Sequence, residues 1–377
     1  MPKHLNGLYI LIILMISISC KKSPSVINPI ISTSTTTTTS VSDNPFPNSK
    51  LLGELTMATN DISGVGCMNK LFLTGYGGIN SQSKRMITVV DIFDLSNNTK
   101  ESHNLSIGRK FIAVAATDSK VFFAGGWDNE SVMNRIDIYD IPTNTWSTAE
   151  LSIGRFNIGV AIWGNKIYFA GGTMTNELAT SRIDIYDAST NSWSTAEMPW
   201  AGTNISTAVI GNKIIFAIGV KGTNIPHAQV YNTATNTWSI IFQPTRKQET
   251  TLDVLYDNVY FIGYSSVNNK DMTIIDVYNI STGKWETHAI NQFKTKVQMA
   301  VSNSKIAFIG GILVKDGKGS RVMDIYNSVT GLWYTQSLST DIVDETIISY
   351  NNKVYSAGGK INDGAKEINS VFVFDLN

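Results

Sequence analysis

Charge is scarce in this sequence. Lys, Arg, Asp and Glu make up 16% of the 377 residues, and 30 basic residues balance 30 acidic ones to a formal net charge of +0. Nucleic-acid binders draw most of their affinity from a basic surface, so that class has no footprint here. Cysteine is scarcer still. Cys20 and Cys67 are too few for a disulfide framework and lack the paired spacing of a structural zinc site. Past the N-terminal stretch the histidines are His103, His227 and His288, with no i, i+4 or paired spacing that would suit a metal. No Gly-x-Ser-x-Gly, phosphate loop or His-Glu-x-x-His occurs, which removes the common hydrolase, nucleotide and zinc-protease signatures. None of these signatures points to a catalytic, metal or cofactor site. What it does hold is 29 Gly, 14 Tyr and 8 Trp in a chain that is 42% hydrophobic, a composition of strands and turns.

The first fifty residues do not look like part of a fold. Lys3 and His4 precede an apolar run from Leu8 to Ile18 that stops just before Cys20. The run is short for a bilayer span and has the layout of a secretory signal. A cysteine directly after such a run resembles the lipobox of bacterial lipoproteins, with Ser17 standing where Leu is commonest. That resemblance implies removal of residues 1–20 as a signal ending at a lipidated Cys20. The alternative is an ordinary signal or anchor with an accidental cysteine. Lys21 and Lys22 follow, with no acidic residue beside Cys20. By the same resemblance this implies a bacterial cell-envelope protein held at the outer membrane by its lipid alone. Residues 21–47 include the run from Ile31 to Ser40, almost entirely Ser and Thr, and are predicted to be a disordered tether.

From residue 48 onward the chain repeats. Arg135-Ile-Asp-Ile-Tyr-Asp140, followed by Trp146, returns as Arg182-Ile-Asp-Ile-Tyr-Asp187, followed by Trp193. Weaker copies end at Trp238, Trp285 and Trp333, and Asp91-Ile-Phe-Asp94 leads to Lys100 in the same frame. Upstream of each copy an apolar run ends in glycine, at positions 75, 125, 171, 218, 263, 310 and 358, where only 218 (Ile218) is not glycine. The intervals are 45–50 residues, the length of a four-stranded propeller blade.

The pattern resembles the kelch repeat: a Gly-Gly pair after the second strand, Tyr-Asp in the third and Trp opening the fourth. The resemblance implies an all-β, seven-bladed propeller over residues 48–377. The seventh copy ends at Phe372-Val-Phe-Asp375 without a fourth strand, and the template slid backward places an orphan strand at 51–56. An N-terminal strand is thus predicted to complete the last blade and close the ring.

Spacing also predicts a functional face. The distances from the Trp slot to the next hairpin turn and from that turn to the glycine position are constant, whereas the segment between glycine and third strand varies by five residues. Scaffolds with one variable face usually bind through it, and the resemblance adds the residues entering each first strand. This gives Asp61, Phe111, Asn157, Asn204, Glu249, Lys296 and Val343, with Thr59, Arg109, Arg155, Gly202, Lys247, Lys294 and Asp341 two positions earlier. Their types are mixed, which fits either a site or a solvated rim. Trp127 and Trp200 fall outside the Trp slot on this face and suit sugar stacking or partner anchoring, or else fold over their own blades. The binding candidates are therefore Trp127, Trp200, Arg109, Arg155, Asn157, Asn204, Glu249 and Lys296, for a protein or glycan ligand. The alternative is a sugar isomerase of mutarotase type, with Glu249 and Arg155, Lys296 or Asp61 as acid and base around the mouth.

Overall fold

The computed structural model describes residues 44–57, 62–79, 86–218, 227–245, 247–267, 270–290, 292–361 and 363–376. The expected signal, Cys20 and residues 21–43 of the expected tether lie outside them, as do Thr59, Asp61 and the side chain of Glu249. Among the described residues no helix is long and apolar enough to cross a membrane.

Seven four-stranded antiparallel sheets stand as blades. Blade 2 is typical: Ala113–Ala116, Lys120–Ala124, Arg135–Asp140 and Thr145–Glu150 pair in chain order. Blade 3 repeats it with Gly159–Trp163, Lys166–Ala170, Thr180–Asp187 and Ser192–Gly202. The first strands touch one another in succession, and the last of them, Thr346–Tyr350, touches the first, Ser63–Cys67. Hydroxyls sew these inner strands together. Ser349 Oγ accepts from Val301 N at 2.9 Å, Ser302 Oγ donates to Asn352 O at 2.6 Å, and Thr346 Oγ1 donates to Ile62 O at 2.5 Å.

The repeat's aromatic residues form one stack in each of blades 2–6. Trp193 lies 5.1 Å from Tyr186 and 6.0 Å from Phe169, and Trp146, Trp238, Trp285 and Trp333 have the same two neighbours. In blade 1, which has no such Trp, Lys100 places its ammonium 5.9 Å from the Phe93 ring. The turn before each Trp needs a positive φ, met by Asn144 (54°), Asn191 (52°) and Asn236 (55°) and, in blades 5 and 6, by Gly283 and Gly331. Asn is among the few side chains that tolerate this region. Here the Tyr hydroxyl of the same blade pins it, as Tyr186 donates to Asn191 Oδ1 at 2.8 Å. The Tyr and the Asn of the repeat are therefore one device.

The seventh sheet has the order Lys50–Glu54, Ser370–Phe374, Lys353–Ala357, Thr346–Tyr350, with Lys50 opposite Val373 and Glu54 opposite Ser370. Its outer strand thus comes from the N-terminal end of the described chain. The packed body begins earlier than the predicted tether boundary at 47. Phe46 is 1% exposed, stacks on Phe374 with ring centroids 4.5 Å apart, and belongs to the core shared by blades 6 and 7.

The structure also corrects the strand-entry register in blade 7. Counting back from the hairpin-turn Lys or Asn, the entry residue is Asp344, one place after Val343. Asp344 has the positive φ (57°) of Phe111, Asn157, Asn204 and Lys296. Val343 forms a bridge to Lys360, the counterpart of the Lys110–Trp127 bridge in blade 2. The position two before the entry in blade 7 is therefore Ile342, not Asp341.

Candidate functional site

In the blades where it is described, the position two before the strand entry belongs to the scaffold. Arg109 and Arg155 are both 0% exposed. Arg109 Nη1 lies 2.8 Å from Asp137 Oδ2, and Arg155 Nη2 lies 2.6 Å from Asp184 Oδ2. Lys294 pairs with Asp324 at 2.9 Å, and Lys247 pairs with Asp276. In each case a cation from the incoming linker grips the recurring Asp of the next third strand. Carbonyls complete the grip on Arg109, whose Nε, Nη1 and Nη2 donate to Gly125 O, Ile107 O and Phe123 O at 2.7–2.9 Å. Burial works against both guanidinium charges, and the partner aspartate offsets it. Burial likewise draws the Lys247 ammonium down to about 8.

Arg109 and Arg155 are therefore not rim residues, contrary to the sequence-based expectation. Arg109 spends its donors on a buried carboxylate and backbone carbonyls. Arg155 gives Nη2 to Asp184 and Phe169 O, while its Nε and Nη1 stay buried without a hydrogen-bond partner among the described residues. The recurring Asp has its role here too. Arg135 and Arg182, two residues before it, pair across the third and fourth strands with Glu150 at 4.0 Å and Glu197 at 3.0 Å. Blade 4 replaces the ion pair with Gln229, which accepts from Trp200 N at 2.9 Å and donates to Trp200 O at 3.1 Å. Blade 7 replaces it with an apolar pair, Ile342 and Phe372, both 0% exposed.

The remaining candidates do lie on the loop face. Asn157 and Asn204 are half-buried entry residues with positive φ. Lys296 is half-buried and bound to Asp344 at 2.7 Å. Trp200 is 44% exposed, its ring edge-on to His227 with centroids 4.7 Å apart. Trp163, on the opposite face, donates its indole N–H to Gly211 O at 3.0 Å and so packs across to blade 4.

Trp127 has company that sequence reasoning missed. It stacks nearly parallel to Phe111 (7°, centroids 6.4 Å apart), and Phe111 meets Phe156 at 5.8 Å. The Lys110 ammonium sits 4.9 Å from the Trp127 ring and 5.2 Å from Phe111. All four side chains are half-buried. Local backbone dictates the cluster. Trp127 follows the glycine pair and bridges Lys110 and Val132, while Phe111 turns the chain into the first strand with φ 59°. A bulky residue in that region is strained, and such strain is characteristic of functional positions. The missed signal was available: blades 2 and 3 place Phe111 and Phe156 beside the entry, where other blades have polar or aliphatic residues.

Among the described residues no group of three His, Cys, Asp or Glu side chains stands together as a metal site. A groove of about 540 Å³ lies elsewhere, between blades 5 and 6, walled by His288, Trp333 and Tyr334. None of the predicted binding residues lines it.

Comparison with known proteins bears on these two blades. The family model described as the Kelch motif matches residues 108–150 and 154–197, which are blades 2 and 3 with their incoming linkers. No curated protein matches the chain.

Proposed function

We propose that this chain, a kelch-repeat β-propeller, is an extracytoplasmic binding module that recognises a protein or glycan through the loop face of blades 2 and 3. A lipid on Cys20 ties it to the outer membrane of a bacterial cell envelope in this reading. The observation that carries the proposal is the half-buried group of Phe111, Trp127 and Phe156 beside Lys110. Aromatic faces of this kind stack on pyranose rings and anchor protein partners at hot spots. The isomerase alternative needs an acid and a base facing one pocket. Arg155 is sequestered and Lys296 is held by Asp344, while Asp61 and the Glu249 side chain lie outside the described residues, so no observation favours it.

Screening the full chain on a glycan array and against cross-linked envelope proteins identifies the ligand class. For whichever ligand binds, Trp127→Ala with Phe156→Ala is expected to weaken binding by about 2 kcal/mol or more, roughly thirtyfold. The melting temperature should fall by only a few degrees, because both rings are partly in solvent already. A charged insertion at the Gly211-Asn212 turn should leave binding unchanged. Loss of binding in the turn variant alone would assign the site to the other face.

The anchor has its own test. Cys20→Ala is expected to abolish metabolic acyl labelling and release the protein from membranes without altering the propeller. Unchanged labelling would remove the lipid from the account.

A further inference from the structure

The residue after each strand entry is a keystone of the seam between blades. Six blades place Ile62, Ile112, Ile158, Ile205, Thr250 or Val297 there, all 8% exposed or less. The side chain presses on the glycine position of the preceding blade. A Cβ added at Gly125 would lie 2.7 Å from Ile158 Cδ1, and one at Gly171 would lie 2.3 Å from Ile205 Cδ1. Blade 7 places Glu345 in this slot. It is 0% exposed, and its Oε1 lies 3.1 Å from where a Cβ on Gly310 would stand. Apart from the residue's own backbone N–H, neither carboxyl oxygen has a hydrogen-bond partner among the described residues.

An acid here is not a requirement of the blade, because six blades close the same seam with aliphatic or hydroxyl side chains. A buried carboxyl without partners opposes folding unless it keeps its proton. Violations of this kind, in a scaffold otherwise consistent, point to function. We infer that Glu345 makes the seam between blades 6 and 7 a proton-dependent joint of the propeller. Protonated, the side chain fills the aliphatic slot and the seam is closed. Ionised, it must reach water, and the seam opens locally.

The surroundings support this. Gly310 and Gly359, just past the second strands of blades 6 and 7, lie against Glu345. Its own segment brings Asp344, whose carboxylate is bound to Lys296 from the blade 6 linker. Farther off, Asp341 is matched with Arg321 and Lys360 with Glu367, and among the described residues Glu345 forms no ion pair. Burial pushes the Glu345 carboxyl up to about 8, Asp344 adds to the rise, and a backbone N–H opposes it. An acid whose folded pKa is raised binds more protons in the closed state, so closure weakens as pH climbs from about 4.5 to about 8 and is level below that window.

Hydrogen exchange of the full chain between pH 5 and 9, corrected for intrinsic rates, reads this directly. The opening constant for Gln298–Ser302 and Thr346–Tyr350 should rise by up to about tenfold per pH unit within the window. Blades 2 and 3 should stay level. Glu345→Gln should abolish the slope, and Glu345→Ile should abolish it while giving the strongest protection. An unchanged slope in both variants, or an equal slope in blades 2 and 3, would overturn the inference.

Discussion

Arg155→Ala is expected to lower the stability of the propeller by about 3–5 kcal/mol, the cost of stranding a buried charge. The loss is read from chemical denaturation, with the change concentrated in blade 3. Asp184 would remain 3% exposed without its cation, and Phe169 O would lose the donor it holds at 2.9 Å. Asp184→Asn should cost a similar amount from the other side. Replacing both partners is a different experiment. A buried ion pair exchanged for well-packed apolar groups is often neutral or stabilising, and blade 7 already makes that exchange with Ile342 and Phe372. Arg155→Met with Asp184→Leu should therefore recover most of the loss. Wild-type stability in Arg155→Ala would mean that the clasp contributes nothing.

The second large effect concerns the segment from Asn44 to Met57. Pro45 O accepts from Ser339 N at 2.8 Å, Phe46 sits between Phe372 and Phe374, and Lys50–Glu54 completes the sheet of blade 7. Thr56 then reaches Asp91 of blade 1, its backbone N 2.8 Å from Oδ2. Deleting residues 21–43 is expected to leave the melting temperature unchanged. Phe46→Ala should cost about 3–5 kcal/mol, as for other buried aromatics. Extending the deletion through residue 57 should cost more, because it also exposes the edge of Ser370–Phe374 and removes the Asp91 contact. Equal melting temperatures for the short and long deletions would show that the ring does not depend on this segment.

The architecture was legible because a propeller writes its physics periodically. In blades 2–6 the Tyr of the third strand, the Asn or Gly five residues later and the Trp after it occur together around one turn geometry. The clasp was present in the sequence but hidden by a comparison along the wrong axis. Read down the blades, Arg109, Arg155, Lys247 and Lys294 share a column with Gly202, and the column looks mixed. Read along each blade, every one of those cations is followed 28–30 residues later by Asp137, Asp184, Asp276 or Asp324, and the column becomes an ion pair. The blade 7 register slipped because Val343 and Asp344 are adjacent and only the positive φ of the entry separates them. Glu345 was overlooked for the same reason, since its meaning depends on knowing that Ile or Val fills its slot elsewhere. The aromatic group of Phe111, Trp127 and Phe156 spans two linkers and one loop, so only folding brings it together.

The claim that the loop face of blades 2 and 3 is the binding surface can be tested without knowing the ligand. A photo-reactive amino acid is placed in the full chain at Trp127 or, as the comparison, at Asn212 in an exposed tight turn of the opposite face. Cells are irradiated, and covalent adducts are identified by mass spectrometry. The account predicts a specific adduct from position 127 that is absent from position 212. Adducts from position 212 alone would contradict it.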